Sequence, residues 1–158
     1  MIDKFTLRCE RITPDQPNVN GRIYSAAILK QMVEQIHKKI SIGIFFGRLG
    51  SSADPKIRIR DAAFRVTDAK IDTDGHISAD CEILNTEKGV ILEEMIEKQG
   101  VETLEIIPCG IGSVSQIDGG LTVIGDDYRL ASLDVEPKLE RSKPPEGPMM
   151  WPDEKEQQ

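Results

Sequence analysis

The sequence predicts an α+β fold, a curled antiparallel sheet or barrel with flanking helices, built as one domain. Three observations carry that prediction. Short alternating or apolar runs recur along the chain, separated by turn-forming residues. Only two segments place apolar residues at helical spacing. The 158 residues, 39% hydrophobic and 30% charged, match an ordinary single core.

Taken in order, Phe5 to Ile12 alternate loosely and predict a first strand. PDQPNVNGR is dense in turn formers and predicts a loop. Ser25 reads as an N-cap. Ile28, Leu29, Met32, Val33 and Ile36 follow on one helical face, and the helix is expected to end near Lys38 or Lys39. ISIGIFFGRL is an apolar run of strand length, expected deep in the core, and GSSADP breaks it. Strands are expected from about Lys56 to Ile71 and from His76 to Leu84, joined by the hairpin signal DTDG. Asn85 or Thr86 caps a second helix, with Val90, Ile91, Met95 and Ile96 on one face and Gly100 as its stop. Beyond Val101 two or three more strands are expected, with a tight turn at Asp118, Gly119 and Gly120.

Composition excludes several classes. A net charge of -7 and a pI near 4.9 argue against nucleic acid as the main partner, because phosphate contacts need clustered Lys and Arg. No apolar run approaches the ~18 residues of a membrane span, so no membrane role is expected. MIDKFTLRCE carries no apolar signal core, which predicts a protein that is not secreted. Cys9, Cys81 and Cys109 are odd in number and widely spaced, as expected of reduced thiols in a cytosol. No Cys and His pair has zinc-like spacing, and neither a metal nor a cofactor is expected.

Charge is uneven along the chain. KIRIR, residues 56–60, alternates Lys56, Arg58 and Arg60 with Ile57 and Ile59, the pattern of a half-buried strand with a solvated basic face. A basic rail for an acidic partner is the sharper alternative. Residues 138–158 form a second segment, an extended acidic arm with Pro144, Pro145, Pro148 and Pro152. Within it Met149, Met150 and Trp151 stand out, since a purely solvating tail has little use for the chain's single Trp. They read either as an anchor, docking on a partner or back on domain 1–137, or as a mere satellite contact.

Chemistry is sparse. His37 lies near the end of the first predicted helix, where a cation complements the macrodipole, and His76 lies in a hairpin turn. Ser51, Ser52, Ser113, Ser115 and Cys109 are the candidate nucleophiles, but neither His is marked as their base. Cys109 follows Ile106, Ile107 and Pro108, an apolar setting that does not activate a thiol.

One resemblance spans Phe5 to Pro137. Asn18-Val19-Asn20-Gly21-Arg22-Ile23-Tyr24, leading into a helix, resembles the opening of bacteriophage prohead proteases, which process capsid and scaffold proteins during head maturation. Phe46-Gly47-Arg48-Leu49-Gly50 stands where that family has a Gly-Glu-Leu block. Ile83-Leu84-Asn85-Thr86 leads through Gly89 into the second helix, as in the family. Gly110-Ile111-Gly112-Ser113-Val114 looks like its Arg-Gly-x-Gly element. Tyr128-Arg129-Leu130 and Leu133-Asp134-Val135-Glu136-Pro137 resemble its closing strand. The resemblance implies a fold similar to herpesvirus assembly proteases, a barrel-like sheet with surrounding helices.

The departures fall on the family's catalytic positions. Gly50-Ser51-Ser52-Ala53-Asp54-Pro55 stands where active members carry a His. Ile107 and Pro108 replace the two serines of an Ile-Ser-Ser-Arg-Gly pattern, and Cys109 replaces its Arg. Loss of nucleophile and base together is incompatible with efficient acyl transfer. The resemblance therefore implies a degenerate protease acting in head assembly or as a capsid-associated structural protein. Capsid or scaffold proteins are its expected partners, a homodimer is an expected state, and the host cytoplasm or the virion head is its place. Two alternatives stand beside it. One is an active serine protease in which Ser51 or Ser113 meets His37 or His76, and the other is a phage effector that binds a host protein.

Overall fold

A computed structural model of the chain describes residues 3–50 and 59–138. Nine strands and two helices alternate as β1 (Lys4–Arg8), β2 (Arg22–Ile23), α1 (Ala26–Ile42), β3 (Phe45–Leu49), β4 (Ala62–Ile71), β5 (Ile77–Ile83), α2 (Glu87–Gln99), β6 (Leu104–Ile111), β7 (Val114–Ile117), β8 (Leu121–Ile124) and β9 (Arg129–Pro137). Six strands form one sheet in the order β1-β5-β4-β3-β9-β6, and three form a second in the order β2-β8-β7. The large sheet curls into a half-barrel, so the α+β class and curled sheet read from the sequence hold. Its strands are mixed rather than purely antiparallel: β3 runs parallel to β9, and β2 parallel to β8. A parallel pair needs a long crossover. Here β4, β5, α2, β6, β7 and β8 all intervene between β3 and β9.

The helices form where capping and packing agree. Ser25 Oγ accepts from the Ile28 N–H at 3.1 Å and starts α1, whose buried face is the predicted one: Ile28, Leu29, Met32, Val33 and Ile36. Thr86 starts α2 by accepting from the Gly89 N–H at 3.0 Å, and its hydroxyl also donates to the Ala62 carbonyl at 2.6 Å. Gly89 is required for packing. A Cβ there would overlap the Leu84 carbonyl and sit 3.0 Å from that of Ala63. The core face of α2 is therefore Gly89, Leu92 and Ile96, with Met95 partly buried, whereas Val90 and Ile91 face outward, contrary to the expected stripe.

Other boundaries also moved. α1 continues three residues past Lys39, to Ile42, and β3 begins only at Phe45, so ISIGIFFGRL is half helix end and half strand; Ile42 and Ile44 are exposed. β1 ends at Arg8 rather than Ile12. Residues 59–61, expected in a strand, form a 3-10 turn, and Lys56 lies outside the described residues. Among the described residues, the chain after Val101 makes four strands, not two or three.

Curling brings the two edges of the large sheet together. Past the end of β1, the Arg11 backbone N–H and guanidinium donate to the fully buried Glu105 carboxylate of β6 at 3.1 and 3.3 Å. Inside the curl lie Phe5, Phe64, Leu92, Leu104, Ile106, Leu133 and Val135, with Phe5 and Phe64 edge to face at 5.6 Å. Among the described residues no helix is long and apolar enough to cross a membrane.

Candidate functional site

Strands β3, β9 and β6 lie side by side and place five side chains in register. Arg48 of β3 stands opposite Asp134 of β9, Ile107 of β6 stands opposite the same Asp134 from the other side, and Cys109 stands opposite Ser132. Residues directly opposite in a sheet share a face, so these side chains meet.

They meet as a buried ionic cluster. Arg48 Nε and Nη2 donate to the two Asp134 oxygens at 3.2 and 3.0 Å. Nη2 also donates to Ser132 Oγ at 3.3 Å, and that hydroxyl donates to Asp134 Oδ1 at 2.9 Å. Asp134 is 0% exposed and Arg48 6%. Burial pushes the Asp134 carboxyl above its ordinary value, opposed by Arg48 and the Ser132 hydroxyl. Burial likewise works against the Arg48 charge, but Asp134 and the Cys109 thiol more than offset it and raise the guanidinium.

Cys109 joins this cluster to a surface cleft of about 340 Å3. Ile107, Pro108 and Gly110 of β6, with Arg22, Tyr24 and Tyr128 across from them, form its walls. The Asn18-to-Tyr24 segment builds one wall. Asn18 Oδ1 accepts from the backbone N–H groups of Asn20 and Arg22 at 2.9 and 3.0 Å, and Gly21 takes a φ of +74°. That turn aligns β2 with β8 and sets Tyr24 edge to face with Tyr128, 6.1 Å between ring centres. Both phenols are raised by burial first; Arg22 opposes this at each, and at Tyr128 the Tyr24 ring adds to the rise. Gly110 permits the close approach, since a Cβ there would lie 2.6 Å from the Tyr128 ring and overlap the Arg129 carbonyl.

The predicted site residues divide. Ile107, Pro108 and Cys109 come together along the cleft and cluster. Ser51, Ser52, Met149, Met150 and Trp151 lie outside the described residues. Ser113 is exposed and bonded to Asp127; its backbone N–H at 3.0 Å and then its hydroxyl at 2.8 Å both donate to Asp127 Oδ1 and hold that carboxyl below its ordinary value. Ser115 is exposed on β7. The chain's two histidines stand elsewhere: His37 Nε2 donates to the Ala69 carbonyl at 2.8 Å and lies 3.2 Å from Asp68, and His76 Nδ1 donates to the Cys9 carbonyl at 3.0 Å. Neither hydrogen-bonds to Ser113, so the pairing of Ser113 with His37 or His76 required by the active-protease alternative is not formed.

Sequence reasoning missed the roles of Arg48, Ser132 and Asp134, although Arg48 and Asp134 sit inside quoted motifs. The usable signal was a lone charge inside an apolar strand, FFGRL in one case and LASLDV in the other. Such a charge is tolerated in a core only when paired. Among the described residues no group of three or more His, Cys, Asp and Glu side chains is placed to hold a metal.

No protein-family model and no curated protein sequence matches the chain. A solved structure, that of the bacteriophage T4 capsid assembly protease gp21, is similar: TM-score 0.71, 15% identity, covering 84% of this chain and 80% of that one. At that identity the likeness is one of fold, and the fold it supports is prohead-protease-like.

Proposed function

We propose that this chain is a catalytically degenerate, prohead-protease-like phage protein that works in head assembly by binding capsid or scaffold proteins. One observation carries the reading: the face that joins β3, β9 and β6 holds an Arg48–Ser132–Asp134 ionic cluster beside Ile107 and Cys109, with no imidazole in it. Acyl transfer needs an accessible nucleophile, a base to take its proton and a group to orient that base. The hydroxyl in this cluster, Ser132, is fully buried and bonded to Asp134. Ile107 and Pro108 supply no hydroxyl at the resemblance-derived nucleophile positions. Asp134 itself is occupied by a guanidinium, so it acts as a structural counter-ion.

The similar T4 structure is that of a capsid assembly protease, which supports capsid proteins as the partner class and the infected host cell as the place of action. Residues 138–158, with Met149, Met150 and Trp151, supply an arm for anchoring. The test is co-expression of the chain with the capsid and scaffold proteins of the phage that encodes it. The expected result is co-purification with both substrates uncut, and recovery of the intact chain from assembling heads. Cleavage of the capsid protein that Ser51→Ala or Ser113→Ala abolishes would overturn the proposal.

A further inference from the structure

Away from the cleft, the C-terminal turn of α1, the start of β3 and the first half of β9 enclose a second concavity, about 470 Å3 along α1 and about 720 Å3 where it continues beside Ile111. Its apolar side chains are conspicuously wet. Ile42 is 79% exposed, Ile44 58% and Ile111 64%. Three cations stand among them: Lys38 and Arg129, both exposed, and Lys39, which lies over the Phe45 ring at 5.7 Å. Glu34 and Asp127 are the acidic residues on its margin, and Asp127 is engaged by Ser113. The backbone edge behind is already sealed. Gln35 donates to the Tyr128 carbonyl at 2.7 Å and accepts from the Leu130 N–H at 2.7 Å, so a further strand cannot pair there. The groove thus selects side chains: apolar or aromatic ones, followed by acid.

The chain carries such a segment. Met149-Met150-Trp151-Pro152-Asp153-Glu154 sets three large apolar side chains one proline ahead of two carboxylates. We propose that this segment of the C-terminal arm docks in the α1–β3–β9 groove of its own chain, Trp151 against the Ile42 side of the floor and Asp153 and Glu154 towards Lys38 and Arg129. Reach permits it. The described chain ends at Lys138, whose N–H bonds the Thr103 carbonyl at 2.9 Å, beside the last residue of β9. From Pro137 back to Arg129 is eight residue steps, about 27 Å at ~3.4 Å each. Lys138 to Met149 is eleven steps, up to about 36 Å extended. A tether of that length holds the segment at an effective concentration on the order of mM, so modest contacts suffice to fill the groove. Aromatic-to-cation contacts and the charge match give the arrangement its direction.

The inference is independent of the proposed function, because it concerns only contacts within the chain. It implies that a partner anchored by Met149, Met150 and Trp151 must first displace them. Trp151 is the chain's single tryptophan, so fluorescence excited at the red edge of the indole band, where Tyr24 and Tyr128 do not absorb, reports on it alone. The expected result is a blue-shifted emission that resists acrylamide quenching. In the Lys38→Glu, Arg129→Glu double variant, and separately in Ile42→Ser, quenching should rise to that of free tryptophan amide. These side chains are exposed, so an unchanged thermal transition certifies the fold. Adding Asp153→Lys and Glu154→Lys to the double variant should restore protection. Three results overturn the proposal: a wild-type Trp151 as accessible as free tryptophan amide, protection indifferent to the groove substitutions, or protection lost on dilution, which would assign the groove to the arm of a second copy.

Discussion

Replacing Arg48 by Met removes the guanidinium that holds Asp134 and keeps most of the apolar stem. Asp134 is fully buried and loses both charged contacts, at 3.2 and 3.0 Å, retaining Ser132 at 2.9 Å. Breaking one side of a buried ion pair costs roughly 3–5 kcal/mol, because the remaining charge is desolvated without compensation. At this chain length each kcal/mol moves the unfolding midpoint by about 2–4 °C, so a fall of roughly 6–20 °C is expected. The pH dependence gives a second reading. Burial already raises the folded-state value of Asp134, which makes the folded protein hold that proton more tightly than the unfolded chain. Stability from this group is therefore complete below the ordinary aspartate value of ~3.9 and is lost as pH rises through the raised folded value. Without Arg48 that value climbs further, so the loss continues to higher pH in the variant than in the parent. The assay is urea unfolding across pH, run on the parent, Arg48→Met, Asp134→Leu and the double variant. The double variant should regain most of the lost stability, since well-packed apolar replacements of a buried pair are often neutral. A single-variant cost under about 1 kcal/mol, or a double variant no more stable than Arg48→Met, would refute the account of the cluster as a tightly coupled structural pair.

Four further outcomes are expected. Glu105→Ala should cost roughly 3–5 kcal/mol in urea unfolding, because Arg11 loses the buried carboxylate that joins the two sheet edges, while Glu105→Gln should cost less by keeping an acceptor for the Arg11 N–H. Gly89→Ala should lower the thermal midpoint, by roughly 1–3 kcal/mol of overpacking, although helix propensity alone favours Ala by about 1 kcal/mol. Under native conditions an alkylating reagent should label Cys109 and spare Cys9 and Cys81, with all three labelled after denaturation; Cys81 is almost fully buried and its thiol is pushed far up by burial and then by Asp80, as intact-mass measurement of the labelled protein can check. Ile107→Ser should not make the chain cut capsid protein in the co-expression assay, since neither His37 nor His76 stands in the cluster to take the proton.

What could be read from the chain beforehand followed the strength of local signals. Ser25, and the Asn85-Thr86 pair of which Thr86 is the cap, announced both helix starts because a hydroxyl cap is a local interaction, complete within four residues. The turns at Asp72–Gly75 and Asp118–Gly120 were equally local. The end of α1 was not legible, because Ile40, Ile42 and Ile44 suit a buried strand by composition and only the tertiary structure leaves Ile42 and Ile44 in water. The α2 stripe misled for a related reason: Gly89 is part of its core face, and a residue without a side chain leaves no mark on an apolar pattern. Strand direction was beyond reach as well. The β3–β9 pairing joins residues more than eighty positions apart, and nothing near Gly47 encodes that Leu133 will lie beside it, or in parallel.

The same distinction explains why the candidate site was half seen. Ile107, Pro108 and Cys109 were legible as departures from a motif, which is a statement about what is missing. Arg48, Ser132 and Asp134, which fill the place, are each ordinary alone and acquire meaning only through the register of three strands. A backbone similar to gp21 at 15% identity is a statement about core pattern and topology, and such a scaffold hosts more than one activity. The functional reading must therefore rest on these few side chains. A buried ion pair is a poor means of stabilising a strand crossing, since apolar residues of like volume do as well or better. If the cluster is only structural, the Arg48→Met, Asp134→Leu double variant should keep its stability and co-purify with the proposed capsid or scaffold partner as the parent does. Stability kept and binding lost would place the partner's contact on the face of β3, β9 and β6 itself. Both retained would move that contact to the arm, where Trp151 fluorescence reads it directly.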